Sequence, residues 1–153
     1  MDTPSDHLRQ LAQYAAAFER SGILGVYGFK VSFPSTEKVE VRIDPVRPEH
    51  RGGLGTSAIN GGVLSAMFDL AVGCTPALLD PSRRSATVHL SINFERPVHG
   101  DAIRAEAWVE SSGATTVFAG AAIYDGQGKI CARCQGIAQL SKISWANGAS
   151  PGS

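Results

Sequence analysis

The sequence predicts an α+β domain in which one long apolar helix is wrapped by a curved antiparallel sheet, with an extra helix at the N-terminus. Two observations carry this prediction: residues 60–79 are apolar with no polar face, and the four segments after them alternate between apolar and polar residues. A helix that is apolar all round must be hidden all round. A sheet rolled around the helix achieves this, whereas two independent layers would leave one of its faces in water.

The N-terminal part predicts a helix and then two short strands. Ser5 can cap the helix and Gly22 can end it. Its apolar positions follow helical spacing: Leu8, Leu11, Ala12, Ala15 and Phe18. We assign residues 1–23 to this helix and 24–143 to the wrapped domain, which starts with strands at 28–33 and 38–43. Residues 44–58 form a long loop rich in proline and glycine, and such loops are more often functional than accidental.

Residues 60–79 form the predicted central helix. Asn60 is a suitable N-cap, and Asp69 is the one ionisable group within the helix. Gly73 and Pro76 are expected to loosen or kink its far end. An ionisable group within a buried helix is uncommon unless it is paired or functional. Asp69 is therefore either a catalytic carboxylate or an acceptor of structural hydrogen bonds.

The rest of the chain predicts antiparallel strands at residues 85–94, 101–111, 115–124 and 129–141. In the first of them Val88, Leu90, Ile92 and Phe94 occupy one face, and Thr87, His89, Ser91 and Asn93 the other. Residues 144–153 are small and polar, and we expect a disordered tail. The length of 153 residues suits a single domain.

Composition and charge exclude several classes of function. Fourteen basic and fourteen acidic residues cancel, so there is no global field to attract nucleic acid or an anionic membrane. We find no apolar run that approaches the ~18 residues of a membrane span and no signal peptide, so the expected location is the cytoplasm. Cys131 and Cys134 would face opposite sides of a strand, and no metal site is predicted.

Three motifs resemble the hotdog thioesterases of the phenylacetate-degradation type, over roughly residues 25–140. They are Val-Arg-Pro-Glu-His at 46–50, Asn60-Gly61-Gly62 with Asp69 nine residues after Asn60, and the strand at 87–97. The resemblance implies the hotdog fold, hydrolysis of an acyl-coenzyme A (acyl-CoA) without a cofactor, and homodimers with shared active sites. We expect two such dimers to form a tetramer, although the sequence leaves the choice between dimer and tetramer open. The resemblance also implies that Asp69 is the catalytic carboxylate, that the Gly61 amide polarises the thioester carbonyl, and that Thr87 helps to hold the attacking water. Asn60 replaces the histidine of the family, and the Asn or Gln of the family's loop has no clear counterpart.

The residues themselves suit this chemistry. Free amides at a helix N-terminus stabilise a developing oxyanion, and Gly61 and Gly62 let a carbonyl approach the backbone. In an apolar setting Asp69 would be a stronger base than in water, and it could activate water or attack the thioester directly. Gly61 and Asp69 lie about 12 Å apart along one helix, at ~1.5 Å per residue. One chain therefore cannot use both, which favours a site between two antiparallel copies.

Other candidates and alternatives remain open at this stage. His89 and Arg96 are expected to bind substrate together with Gly62, and Arg83, Arg84 and Arg133 are further candidates for the phosphates of the carrier. Asn60 could be a cap only, a catalytic group, or both. A hotdog hydratase or dehydratase and a non-catalytic acyl-CoA-binding module are the alternative functions. The first would need a helix histidine that residues 60–79 lack, and Asp69 argues against the second.

Overall fold

The computed structural model describes residues 3–53 and 55–145, and it confirms the predicted α+β architecture. Six strands form one antiparallel sheet in the order β1-β2-β4-β5-β6-β3. The helices are α1 (Pro4–Phe18), α2 (Gly22–Tyr27) and α3 (Gly61–Gly73), and 3₁₀ turns cover Pro48–His50 and Thr75–Leu78. The strands are β1 (Phe29–Ser35), β2 (Lys38–Ile43), β3 (Arg83–Phe94), β4 (Ile103–Ser112), β5 (Thr116–Tyr124) and β6 (Ile130–Ser144).

The N-terminal region differs from the prediction at both ends of its first helix. Thr3, not Ser5, is the N-cap of α1: its hydroxyl accepts a hydrogen bond from the Asp6 amide at 3.2 Å, and the Asp6 carboxylate accepts one from the Thr3 amide in return. Gly22 begins helix α2, which the sequence analysis did not predict and which runs across the predicted boundary at residue 23. Gly28 ends α2 with a φ of 71°, a conformation that favours glycine.

Helix α3 packs on the inner face of the sheet through one stripe of side chains. The buried stripe follows helical spacing and consists of Leu64, Met67, Phe68, Ala71 and Val72. The opposite face is partly or fully exposed and carries Gly62, Ala66 and Asp69. The expectation that this chain hides every face of its central helix is therefore wrong, because the sheet covers only one side of it.

The central helix and the turn after it also pass a simple test for a membrane span. The 18 residues Gly61–Leu78 have a mean hydropathy of 1.4, which corrects the expectation that no run reaches this length. Over half of the stretch, 56%, is buried inside the protein. A core helix that is mostly buried passes the same test, so the finding is weak evidence for a membrane span.

Strand β3 lies at one edge of the sheet and contains a bulge that the sequence did not reveal. Thr87 pairs with Ala138 and His89 pairs with Ile137, so Val88 is the extra residue between them. The bulge reverses the alternation: Thr87 faces α3, whereas Val88 is 56% exposed. The predicted grouping of Val88 with Leu90 on one face, and of Thr87 with His89 on the other, is therefore wrong.

The C-terminal strand is longer than predicted. β6 includes Ser144, and the Trp145 amide donates a hydrogen bond to the Ser82 carbonyl at 2.9 Å. Trp145 also packs edge-on against Tyr14, with ring centroids 6.5 Å apart. Ser144 and Trp145, the first two residues of the tail predicted for 144–153, therefore belong to the folded domain, and residues 146–153 lie outside the described residues.

Candidate active site

The start of helix α3 presents one free backbone amide. Asn60 is the N-cap, and its side-chain oxygen accepts a hydrogen bond from the Gly62 amide at 2.7 Å. The Gly61 amide donates to no group within residues 3–53 and 55–145. The structure thus supports the capping role of Asn60, assigns the Gly62 amide to that cap and leaves the Gly61 amide available to a substrate carbonyl.

The loop before α3 is fastened by a buried histidine to which the sequence analysis gave no role. His50 is 3% exposed; its Nδ1 accepts a hydrogen bond from the Arg47 amide at 2.8 Å, and its Nε2 donates to the Tyr27 carbonyl. The His50 carbonyl accepts the Asn60 amide at 2.9 Å. The position of the α3 N-terminus therefore depends on a side chain that joins the loop to the end of α2. The only signal in the sequence was the place of His50 in the 46–50 motif.

Asp69 and Thr87 lie side by side in a groove of about 390 Å³ on the uncovered side of α3. The Thr87 hydroxyl donates to the Asp69 backbone carbonyl at 3.0 Å. Gly73 makes this approach possible, because a Cβ at that position would lie 2.8 Å from the Thr87 hydroxyl. The Asp69 side chain is exposed in the single chain, so the expectation that the helix itself buries it is wrong. The predicted proximity of Asp69 and Thr87 is nevertheless present.

The far wall of this groove is aromatic and comes largely from α1. Tyr14, Phe18 and Trp145 line it together with Cys74 and Ser85. The Tyr14 hydroxyl interacts with Ser85 and with the Cys74 thiol. Burial raises the pKa of Tyr14 well above its ordinary range, and it raises the pKa of Cys74 to about 12, with the negative charge of Asp69 adding to the shift. Both groups are therefore neutral in the folded protein at neutral pH.

Sequence reasoning missed Tyr14, although the signal was present. Tyr14 follows the buried Leu11 by three residues and precedes Phe18 by four, which places all three on the inner side of α1. The sequence could show that α1 packs on the domain. It could not show that the helix lies beside Asp69.

Two of the predicted substrate-binding residues lie away from Asp69 and Thr87. After the β3 bulge His89 lies on the outer face of the sheet, in a separate pocket with Ser91, Glu110 and Phe118. Arg96 follows β3 in an exposed segment, where its amide donates to the Cys131 carbonyl at 3.0 Å. The prediction that His89 shares the substrate side of the strand is wrong because the bulge reverses that side.

The other arginines differ in what holds them. Arg133 is ion-paired with Glu95 at 3.0 Å, and Arg83 donates to the Ser141 carbonyl at 2.6 Å. Arg84 lies over the Trp145 ring, 5.5 Å from its centroid.

Arg84 also lines a second groove of about 480 Å³ with Lys142. This groove shares Ser85 and Ala86 with the groove of Asp69, and none of its described lining residues is acidic. Both grooves therefore border the same stretch of β3, and the second has a basic lining.

Helix α3 is unbroken from Gly61 to Gly73. The Gly61 amide and Asp69 are thus separated by about 12 Å within one chain. Within residues 3–53 and 55–145 no group of three or more His, Cys, Asp or Glu side chains could hold a metal ion. The candidate functional groups of one chain are a free backbone amide at one end of α3 and a carboxylate with a hydroxyl further along its uncovered face.

A long helix on a curved six-stranded antiparallel sheet, with a carboxylate on its uncovered face, defines the class of hotdog proteins to which thioesterases belong. The model of the thioesterase superfamily matches residues 57–132, and the chain belongs to that superfamily. The matched region contains α3 and strands β3, β4 and β5, and it includes Asn60, Gly61, Asp69 and Thr87. No curated protein matches the chain significantly.

Solved structures share the fold at low sequence identity. A Shewanella oneidensis protein related to the thioesterase superfamily has a TM-score of 0.76 and 17% identity, covering 90% of this chain and 97% of its own. The E. coli PaaI protein from the phenylacetic acid degradation operon has a TM-score of 0.75 and 21% identity, covering 93% and 99%. A thioesterase from Haemophilus influenzae has a TM-score of 0.70 and 16% identity, covering 96% and 94%.

Proposed function

We propose that the protein hydrolyses acyl-CoA thioesters to a free acid and CoA. The observation that carries this proposal is the position of Asp69 beside Thr87 in an open groove of the central helix. Membership of the thioesterase superfamily and the free Gly61 amide support it. No cofactor is required, since CoA is part of the substrate.

In the proposed reaction the Gly61 amide donates to the thioester oxygen and stabilises the negative charge that develops there. Asp69 either removes a proton from the attacking water or attacks the carbonyl carbon itself, which gives an anhydride that water then opens. The C–S bond breaks and the thiolate of CoA leaves. Because a thiolate is a good leaving group, no strong general acid is needed.

We further propose that each active site is built from two chains. The Gly61 amide and Asp69 must both lie within a few ångströms of the reacting carbonyl, which an unbroken α3 prevents within one chain. Two antiparallel copies would bring Gly61 of one chain beside Asp69 of the other and would cover the exposed apolar side of α3. The edge position of β3 would let the sheets of both chains join. Two such dimers are expected to form a tetramer.

We propose that the CoA phosphates bind in the basic groove that borders the same stretch of β3 as the groove of Asp69. Arg84 and Lys142 line it, and neither forms an ion pair within the described part of the chain. Arg133, by contrast, is paired with Glu95. A phosphate would give Arg84 and Lys142 a charge partner.

The test is the release of free thiol from a panel of acyl-CoA esters, with hydration of an enoyl-CoA measured alongside. We expect thiol release by the wild type and a loss of at least ~100-fold in Asp69→Asn, the usual scale for removing a general base. Near-normal turnover by a folded Asp69→Asn protein would remove Asp69 from the mechanism. Hydration without thiol release would instead favour the hydratase, and tight binding without turnover the binding module.

A further inference from the structure

We propose that the N-terminal helix closes the acyl pocket, and that Tyr14 sets its depth and so limits the substrate to compact acyl groups, either a ring or a short chain. This inference rests on the proposed thioesterase function and deepens it. It starts from a juxtaposition: the groove that holds Asp69 and Thr87 is lined on its far side by Tyr14, Phe18 and Trp145. Two of these three rings belong to α1, and the third follows β6.

The wall is held in place by mutual packing of its rings. Tyr14 packs edge-on against Phe18 at 5.5 Å between centroids, against Phe33 at 5.9 Å and against Trp145 at 6.5 Å. Tyr14 itself is 6% exposed. Its ring is therefore fixed from several sides, because swinging it aside would disrupt these contacts.

The polar end of Tyr14 lies near Ser85 and Cys74, which line the same groove. The Ser85 hydroxyl donates to the Gly73 carbonyl at 2.8 Å, which ties this cluster to the end of α3. The cluster lines the same groove as Asp69, so an acyl chain that extends from the catalytic groups toward α1 meets this wall.

Helix α1 cannot easily move away to admit a longer chain. The His7 ring is hydrogen-bonded to the Leu78 carbonyl at 2.9 Å, and Leu11 is completely buried. These contacts anchor the turns of the helix that precede Tyr14. The groove volume of about 390 Å³ is near the lower end of ligand pockets, which run from ~300 to ~1,000 Å³. An aromatic lining of this size suits a ring or a short chain.

The experiment compares variants of this wall on a series of saturated CoA esters from acetyl to myristoyl, together with benzoyl-CoA. Tyr14→Ala opens the wall, and Tyr14→Phe is the matched control that keeps the ring and removes only the hydroxyl. Phe18→Ala opens the wall at a half-buried position, where loss of folding is less of a risk. Thermal unfolding of each variant shows that it is folded.

We expect the wild type to prefer compact esters. Tyr14→Ala or Phe18→Ala should raise the ratio of kcat/KM for long over compact esters about 10-fold or more, while Tyr14→Phe keeps the wild-type ratio. An unchanged ratio in folded Tyr14→Ala and Phe18→Ala proteins would overturn the proposal. A wild type that hydrolyses no ester would overturn the proposed function instead. In that case the wall is tested by calorimetry of the binding of free hexanoic and decanoic acids. Tyr14→Ala and Phe18→Ala should raise the ratio of the affinity for decanoic acid to that for hexanoic acid by the same factor. An unchanged ratio would again overturn the proposal.

Discussion

Substitutions of Asn60 separate two roles of the start of α3, which are the capping of the helix and the proposed stabilisation of the oxyanion. The Asn60 side-chain oxygen caps the helix by accepting the Gly62 amide at 2.7 Å. Asn60→Ala removes this acceptor and should lower the free energy of unfolding by about 1 kcal/mol. Asn60→Asp retains a good cap, and its negative charge interacts favourably with the helix dipole, so its stability should equal or exceed that of the wild type.

The effect of Asn60→Asp on activity should be the opposite of its effect on stability. The oxyanion would lie about 3 Å from the Gly61 amide and so about 5 Å from the new carboxylate. Two like charges at that distance repel by about 1 to 3 kcal/mol for an effective dielectric constant between water and a protein surface. This energy corresponds to a loss of kcat of about 5- to 150-fold.

Urea unfolding and initial rates of thiol release, measured on the same preparations of wild type, Asn60→Ala and Asn60→Asp, give both quantities. The account predicts a stable but slow Asn60→Asp protein. Full activity of that variant would show that residue 60 acts only as a cap. It would also mean that the reacting oxygen is not placed at the Gly61 amide.

Two further predictions concern the basic groove and the thiol in the pocket. Arg84→Ala should raise the KM for CoA esters about fivefold, while the KM for the corresponding N-acetylcysteamine thioesters, which lack the phosphates, should stay unchanged. Arg133→Ala is the control, because that arginine is already paired with Glu95. If Arg84→Ala raised the KM for both types of thioester equally, the assignment of Arg84 to the CoA phosphates would be contradicted. Burial raises the pKa of the Cys74 thiol from 9.0 to about 12, so the unfolded chain loses its proton first and the free energy of unfolding should fall as the pH rises above about 9. Urea unfolding at about pH 8 and about pH 10 should show a smaller fall for Cys74→Ala than for wild type, by at most about 1.4 kcal/mol per pH unit, and equal falls would contradict the contribution of this thiol.

Much of the fold could be predicted because its periodicities are local. Strand β2 has the predicted bounds, and α3 starts directly after the predicted cap Asn60. The all-apolar helix correctly indicated the wrapped arrangement. It did not show that the sheet covers only one face of α3. Hydropathy indicates that an apolar face must be covered, but it does not indicate whether the same chain or another molecule covers it. The exposure of Asp69 follows from the same fact.

Candidate site residues could be predicted where they depend on position along one element, and they could not be predicted where they depend on packing between elements. The pairing of Asp69 with Thr87 was anticipated through the family resemblance. The bulge at Val88 moved His89 to the outer face, since one inserted residue reverses every side chain after it. Tyr14 and His50 act through contacts with residues distant in the chain, and no local pattern shows these contacts.

A subunit-mixing experiment tests the shared active site most directly. Gly61 is the first residue of α3, so Gly61→Pro removes the proposed oxyanion donor at a position where proline suits a helix. Gly61→Ala is the matched control: it keeps the amide, and its Cβ would contact the Phe94 ring at an ordinary 3.7 Å. Asp69→Asn and Gly61→Pro chains should each be inactive alone, and Gly61→Ala should remain active.

In a heterodimer of the two inactive chains both lesions fall in one site, and the other site contains the intact Gly61 and the intact Asp69. Thiol release by purified heterodimers should therefore approach half of the wild-type rate. If subunit exchange is demonstrated and no activity is recovered, the shared site is contradicted. Full activity in a monomer would also contradict it.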